Sequence, residues 1–151
     1  MTTKQQTELG IDKSILIEAP VEKVFAYYSE PENLPEVWPS LLEVKEVERT
    51  PEGWARKFKW VYKMAGMRFE GSTENSEYDK NERTVAVSKG GIESTIDTTY
   101  EDQGGKTLLR DRVTYRVPVP LIGRVAERFL ARTNEHEVET IHKNLKARLE
   151  G

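Results

Sequence analysis

The chain of 151 residues contains no cysteine. That excludes a disulfide scaffold and thiolate chemistry, and the expected location is the cytoplasm. No apolar run approaches the roughly 18 residues that cross a bilayer, so no transmembrane segment is expected. The opening stretch, Met1 to Leu9, lacks the apolar core of a secretory signal and reads as a flexible N-terminal tail ahead of a single domain over residues 10–151. A net charge of -3 gives no general attraction to nucleic acid, and none is expected as a partner. What remains, with 32% charged and 36% hydrophobic residues, is the composition of a globular domain with a well-charged surface.

The chain is organised around its last thirty or so residues. Leu121 to Leu149 follows the punctuation Pro118-Val119-Pro120, contains no proline and is rich in strong helix formers. Ile122, Ala126, Phe129, Leu130, Ile141 and Leu145 form one broad stripe at helical spacing. Between Leu130 and Val138 the stripe holds no aliphatic side chain and passes instead through Thr133, Asn134 and Glu137. Two readings fit that gap. Either this segment is partly exposed, with Glu137 paired to an arginine of the sheet, or its polar groups face an internal cavity.

Earlier segments alternate with a period of two. Ile11 to Glu18 reads as a first strand, followed by a short helix in which Val21, Val24, Phe25 and Tyr28 share a face, and by a helical piece between Pro31 and Trp38. Leu42 to Arg49 is a further strand. In Arg56 to Met64, Phe58, Trp60, Tyr62 and Met64 alternate with Lys57, Lys59, Val61 and Lys63, giving one aromatic and one mostly cationic face. That aromatic row suits either ordinary core or the wall of a pocket for a flat ligand. Turns at Ala65-Gly66, Asp79 to Glu82, Gly90-Gly91 and Gly104-Gly105 separate four more strands. Met67 and Phe69, Val85 and Val87, Ile96 and Tyr100, and Leu109, Val113 and Tyr115 mark their apolar faces. Asp111 falls on the inward parity of the last strand, which a bulge, an arginine partner or a pocket acid would explain.

Catalytic and metal signatures are missing. His136-Glu137-Val138-Glu139-Thr140 opens like a zinc-binding helix but has threonine where a second histidine is required. His142 lies about 120° around the helix from His136, so the pair does not grip one ion, and both read as surface residues. There is no nucleophile elbow, phosphate-binding loop or dinucleotide fingerprint. Neither metal nor cofactor is expected.

About seven strands, two small helices after the first and one long terminal helix give an α+β layout, an antiparallel sheet with one face to cover. Two segments, Ala19-Pro20-Val21-Glu22-Lys23-Val24-Phe25 and Asn33-Leu34-Pro35-Glu36-Val37-Trp38-Pro39-Ser40-Leu41, resemble the opening of the START/Bet v1-like (SRPBCC) superfamily, and within it the small polyketide cyclase/dehydrase-like or lipid-transport-like proteins. The resemblance runs from Gly10 to Leu149 and implies the helix-grip fold, a curved sheet wrapped around the long C-terminal helix with a hydrophobic cavity between them. It also implies that the hairpins at Met64 to Met67 and Lys89 to Gly91 flank the cavity mouth. Thr50-Pro51-Glu52-Gly53 has no counterpart of the glycine-rich loop of the plant pathogenesis-related members. On this basis the ligand-binding candidates are Phe25, Trp38, Phe58, Trp60, Tyr62, Phe69, Ile96, Asp111, Tyr115, Phe129, Thr133 and Glu137. The expected function is binding or carriage of a small hydrophobic ligand such as a lipid, quinone or polyketide. The alternatives are a cyclase- or aromatase-like enzyme using pocket acids and bases, and a module that binds a protein partner.

Overall fold

Seven segments of alternating residues form one antiparallel sheet: β1 (Gln6–Ile17), β2 (Leu41–Arg49), β3 (Ala55–Met64), β4 (Met67–Asp79), β5 (Arg83–Lys89), β6 (Glu93–Asp102) and β7 (Thr107–Pro118). The structure is a computed structural model and describes residues 6–150 apart from 65, 91 and 92; the side chains of residues 6–9, 64 and 117–131 also lie outside the description. The tips of both expected mouth hairpins, Ala65 and Gly91, therefore fall outside the described residues.

The strand order is β1-β7-β6-β5-β4-β3-β2. Strands β2 to β7 are neighbours in sequence and in space, as tight hairpin links require. β1 sits at the far edge and pairs with β7 from Gln6↔Pro118 to Ile17↔Thr107. Residues 6–9, expected to belong to a flexible tail, are thus part of a strand. Their polar sequence hid it, because an edge strand needs no continuous apolar face.

Between β1 and β2 the chain crosses from one edge of the sheet to the other through α1 (Val21–Tyr28), a single 3-10 turn at Pro31–Asn33 and α2 (Leu34–Val37). Pro20 supplies the extended residue before α1, and Ser29 ends the helix by donating its hydroxyl to the Phe25 carbonyl at 2.6 Å. The buried side chains of α1 are Val21, Val24 and Phe25, its apolar stripe. The last element, α3 (Val119–Glu150), takes Pro120 into its first turn, where proline is tolerated, and begins two residues ahead of the expected Leu121.

One end of the molecule is solid. Ile17, Val24, Phe25, Val37, Tyr100, Leu109, Ile141, Leu145 and Leu149 pack as one cluster between α1, α2, the sheet and the C-terminal half of α3. Ile17, Leu109 and Leu145 are completely buried there. Two smaller clusters lie towards the other end, one around Ile11 and Tyr115 and one around Leu41, Phe58 and Trp60. This is the helix-grip arrangement, a curved seven-stranded sheet around a long helix, and the three clusters leave room between them.

Parity fails in one strand. Thr84, Ala86 and Ser88 of β5 face α3, because Thr84 and Ser88 are buried and Ala86 and Ser88 border the internal space. Val85 and Val87, the apparent apolar face, alternate with them on the opposite face, where Val85 is buried as well. No described helix is long and apolar enough to cross a membrane. Among the described residues the exposed large hydrophobics are Leu16, Leu42 and Met67, on three different strands.

Candidate functional site

The space between the clusters is a cavity of about 160 Å³. The aromatic row of β3 supplies Phe58, Trp60 and Tyr62; Trp38 follows α2; β6 and β7 contribute Ile96, Val113 and Tyr115; and α3 closes it with Asn134, Glu137, Val138 and Ile141. Its walls are mainly apolar, with a few polar groups placed among them, the usual anatomy of a small-molecule site.

Trp60 owes its position to a glycine. Trp60 pairs across the strands with Gly71, and a Cβ added at Gly71 would collide with the Trp60 ring and with the Lys89 carbonyl. Only glycine lets the indole lie flat over the backbone there. The ring nitrogen then donates to Thr73 Oγ1 at 2.9 Å, and Thr73 Oγ1 and Ser88 Oγ share a hydrogen bond of 2.6 Å. Both hydroxyls border the cavity.

Glu137 answers the question posed by the gap in the helical stripe. A tyrosine of the sheet meets it. The Tyr62 hydroxyl donates to Glu137 Oε1 at 2.5 Å, joining β3 to α3, and both side chains line the cavity. Burial first, and the Glu137 carboxylate second, push the Tyr62 phenol far above the ordinary tyrosine value, so it remains a donor at any working pH. The Trp38 indole N–H lies near the Tyr62 hydroxyl oxygen but completes no hydrogen bond of good geometry.

Asp111 also departs from the commoner expectations. β7 runs through this point in unbroken register with both β1 and β6. Asp111 is 1% exposed, and its carboxylate takes three partners from three elements. Thr98 of β6 donates to Oδ1 at 2.5 Å, Tyr28 of α1 donates to Oδ2 at 3.0 Å, and His142 Nε2 of α3 lies 2.8 Å from Oδ2. The imidazole must carry its proton on Nε2 for that contact to be favourable. His142 is 3% exposed, which corrects its reading as a surface residue. It follows Ile141 directly and lies on the flank of the buried stripe. His136 is exposed, as expected. Burial and the Asp111 charge push the Tyr28 phenol well up.

Eight of the twelve sequence candidates line the cavity: Trp38, Phe58, Trp60, Tyr62, Ile96, Asp111, Tyr115 and Glu137. Phe25 does not; it is part of the solid cluster, edge-on to Tyr78 and Tyr100. Phe69, partly buried, packs against the two smaller clusters, and Thr133 is exposed on α3. The Phe129 side chain lies outside the described residues. The candidate set left out Tyr28, Asn134 and the hydroxyls Thr73, Ser88 and Ser94, all of which line the cavity. Asn134 stood in the polar gap and Ser94 on the inward parity of β6, so both carried a signal; Ser88 was masked by the valines beside it. Tyr115 Oη is buried without a hydrogen bond, since the neighbouring Asn134 amide completes none of good geometry. Among the described residues no group of three His, Cys, Asp or Glu is placed to hold a metal ion.

The family described as polyketide cyclase / dehydrase and lipid transport matches residues 9–150. Similar solved structures include TTHA0849 of Thermus thermophilus, 20% identical with a TM-score of 0.80 over 93% of this chain and 97% of that one. A START superfamily protein of Mycobacterium smegmatis is 17% identical, with a TM-score of 0.79 over the same shares, 93% and 97%. The di-domain ARO/CYC StfQ of the steffimycin biosynthetic pathway is 15% identical with a TM-score of 0.77; the match takes in 95% of this chain and 51% of that one. At these identities the likeness is one of fold. No curated protein sequence matches.

Proposed function

Because the chain belongs to the polyketide cyclase / dehydrase and lipid transport family, we propose that it binds or carries a small hydrophobic ligand in the cavity between the sheet and α3. The observation that carries this reading is the cavity itself, about 160 Å³ walled by Trp38, Phe58, Trp60 and Tyr62. An apolar cavity of roughly 150 Å³ takes one benzene ring, so the buried part of the ligand is about one ring in size. Longer ligands, lipid or polyketide, would leave the remainder of their length outside. The lack of cysteine fits a cytoplasmic carrier.

Native mass spectrometry of freshly purified protein tests the reading. A co-purifying small molecule, or saturable quenching of tryptophan fluorescence by single-ring aromatics, is the expected result. A bare mass together with no saturable response to a panel of such compounds would end it.

A catalytic reading has one observation in its favour. Asp111 borders the cavity and is hydrogen-bonded behind it to His142, an arrangement able to hold a proton and pass it on. Asp111→Asn and His142→Gln, assayed against the same small aromatic ketones and phenols, separate the two readings: a catalyst loses turnover, whereas a carrier keeps its ligand chemically unchanged with or without the pair.

A further inference from the structure

The strand register sorts the inward-facing residues of β5, β6 and β7 into three parallel rows. The deepest is Thr84–Thr98–Asp111, the middle one Ala86–Ile96–Val113 and the third Ser88–Ser94–Tyr115. Successive rows are two residues apart along the strands, about 7 Å. The middle row is apolar and about one ring wide. The deep row is complete, since the Asp111 oxygens are taken by Thr98, Tyr28 and His142. The third row is incomplete.

Its donors outnumber its acceptors. Thr73 of β4 extends the row, pairing with Ser88 across the strands. The Trp60 N–H uses Thr73 Oγ1 as its acceptor, and one hydrogen bond joins Thr73 to Ser88. Of the two hydroxyl protons on that pair only one is consumed, so the other has no acceptor within it. At the other end of the row, Tyr115 Oη is buried and makes no hydrogen bond of good geometry, even with the Asn134 amide beside it. Leaving buried hydroxyl protons without an acceptor is unfavourable, and a ligand oxygen that accepts them removes the penalty. A ligand hydroxyl or amine brings a further proton to a place already rich in them and satisfies the row less well.

Building on the proposed carriage of a ring-sized ligand, we propose that the cavity selects a ring bearing a carbonyl oxygen, a ketone or quinone, with the ring on the Ala86–Ile96–Val113 row and the oxygen at the Ser88–Ser94–Tyr115 row. The polar row is then the specificity-determining part of the site, and the aromatic wall supplies the affinity common to all ring compounds.

The test uses the full chain, two near-isosteric probes and amide chemical-shift titration by NMR. Acetophenone carries the carbonyl, and α-methylstyrene replaces its oxygen by a methylene. The wild type should bind acetophenone about tenfold more tightly, the effect of roughly one satisfied buried hydrogen bond. The double variant Ser94→Ala/Tyr115→Phe should bring the two probes to within about twofold, by losing acetophenone affinity rather than gaining styrene affinity. Dispersed amide spectra show that the variant is folded, and Ser94→Ala alone, which changes one exchangeable group, should narrow the gap in the same direction. Equal binding of both probes to the wild type would overturn the carbonyl selectivity while leaving the ring-binding reading in place. A carbonyl preference that persists unchanged in the double variant would place the selecting group elsewhere and overturn the assignment to this row. No shift with either probe would overturn the carrier reading and this inference together.

Discussion

His142 Nε2 on α3 lies 2.8 Å from Asp111 Oδ2 on β7, and neither residue exposes more than 3% of its surface. This contact ties the long helix to the sheet directly beneath the cavity, with Tyr28 and Thr98 completing the coordination of the carboxylate. Removing the carboxylate strands three donors at once. Asp111→Ala should cost about 3 kcal/mol or more, the range for breaking a buried charged network, and Asp111→Asn distinctly less because one acceptor oxygen survives. Urea unfolding followed by far-ultraviolet circular dichroism measures both. An Asp111→Ala variant as stable as the wild type would show that the cluster contributes nothing to the union of helix and sheet.

The Tyr62–Glu137 bond invites a double-mutant cycle. Glu137→Leu leaves the Tyr62 hydroxyl without its acceptor and should destabilise by about 1 kcal/mol; adding Tyr62→Phe should restore most of that loss. Simple additivity of the two substitutions in chemical denaturation would mean that the bond is not formed in solution.

Alkaline stability follows from the buried tyrosines. The phenols of Tyr28 and Tyr100 are held well above the ordinary value of 10.0, chiefly by burial and then by the Asp111 charge, and Tyr62 is raised by burial and then by Glu137. Each ionises more readily in the unfolded chain, so the unfolded state gives up protons first. The stabilisation is therefore complete below about pH 10 and declines as the pH rises beyond it. Tyrosinate absorbance for these three should appear together with loss of structure. Ionisation of all six tyrosines near pH 10 in a protein that stays folded would contradict their burial.

Gly71→Ala is expected to act on Trp60. The added methyl group meets the indole and the Lys89 carbonyl, so the ring must tilt, at a cost of about 1–3 kcal/mol typical of overpacking. Trp60 fluorescence should shift, and ring-compound binding should weaken although no cavity-lining residue was changed. Unaltered emission and binding would mean that the backbone gives way instead of the ring.

Much of this architecture was legible because it rests on periodicity. The aromatic alternation of β3, the i, i+3, i+4 pattern of α1 and the proline-flanked start of α3 each follow from burying one face, and each element lies within a few residues of its expected place. The polar interruption at Asn134 and Glu137 in the helical stripe left two readings open, a partly exposed segment or a cavity wall, and both residues line the cavity. What stayed hidden was of two kinds. β5 turns Ala86 and Ser88 towards the cavity and its valines to the opposite face, where Val85 is also buried, so a rule that sets the more apolar face against the cavity reads the strand backwards. The Asp111–His142 pair joins residues from two elements, and no spacing within either reports the meeting; parity placed Asp111 inside, but its partner emerges only when the helix is docked.

The place of β1 has a consequence for how the chain acquires its shape. Strands β2 to β7 form by successive short-range closures, each hairpin resting on the one before, whereas β1 pairs only with β7 and must wait until that strand exists. Six strands can thus assemble as a growing sheet whose edge at β7 stays open, with the first strand and α1 held back as a loose segment. Until β1 arrives, the cavity lacks Ile11, the wall residue that strand supplies. The slow step in folding is expected to be this late return of the N-terminal strand across the entire sequence, since long-range closure carries the largest entropy loss before any contact compensates it. During that interval the open β7 edge is the part most exposed to pairing with another chain, so the same topology that completes the chamber also makes refolding sensitive to protein concentration.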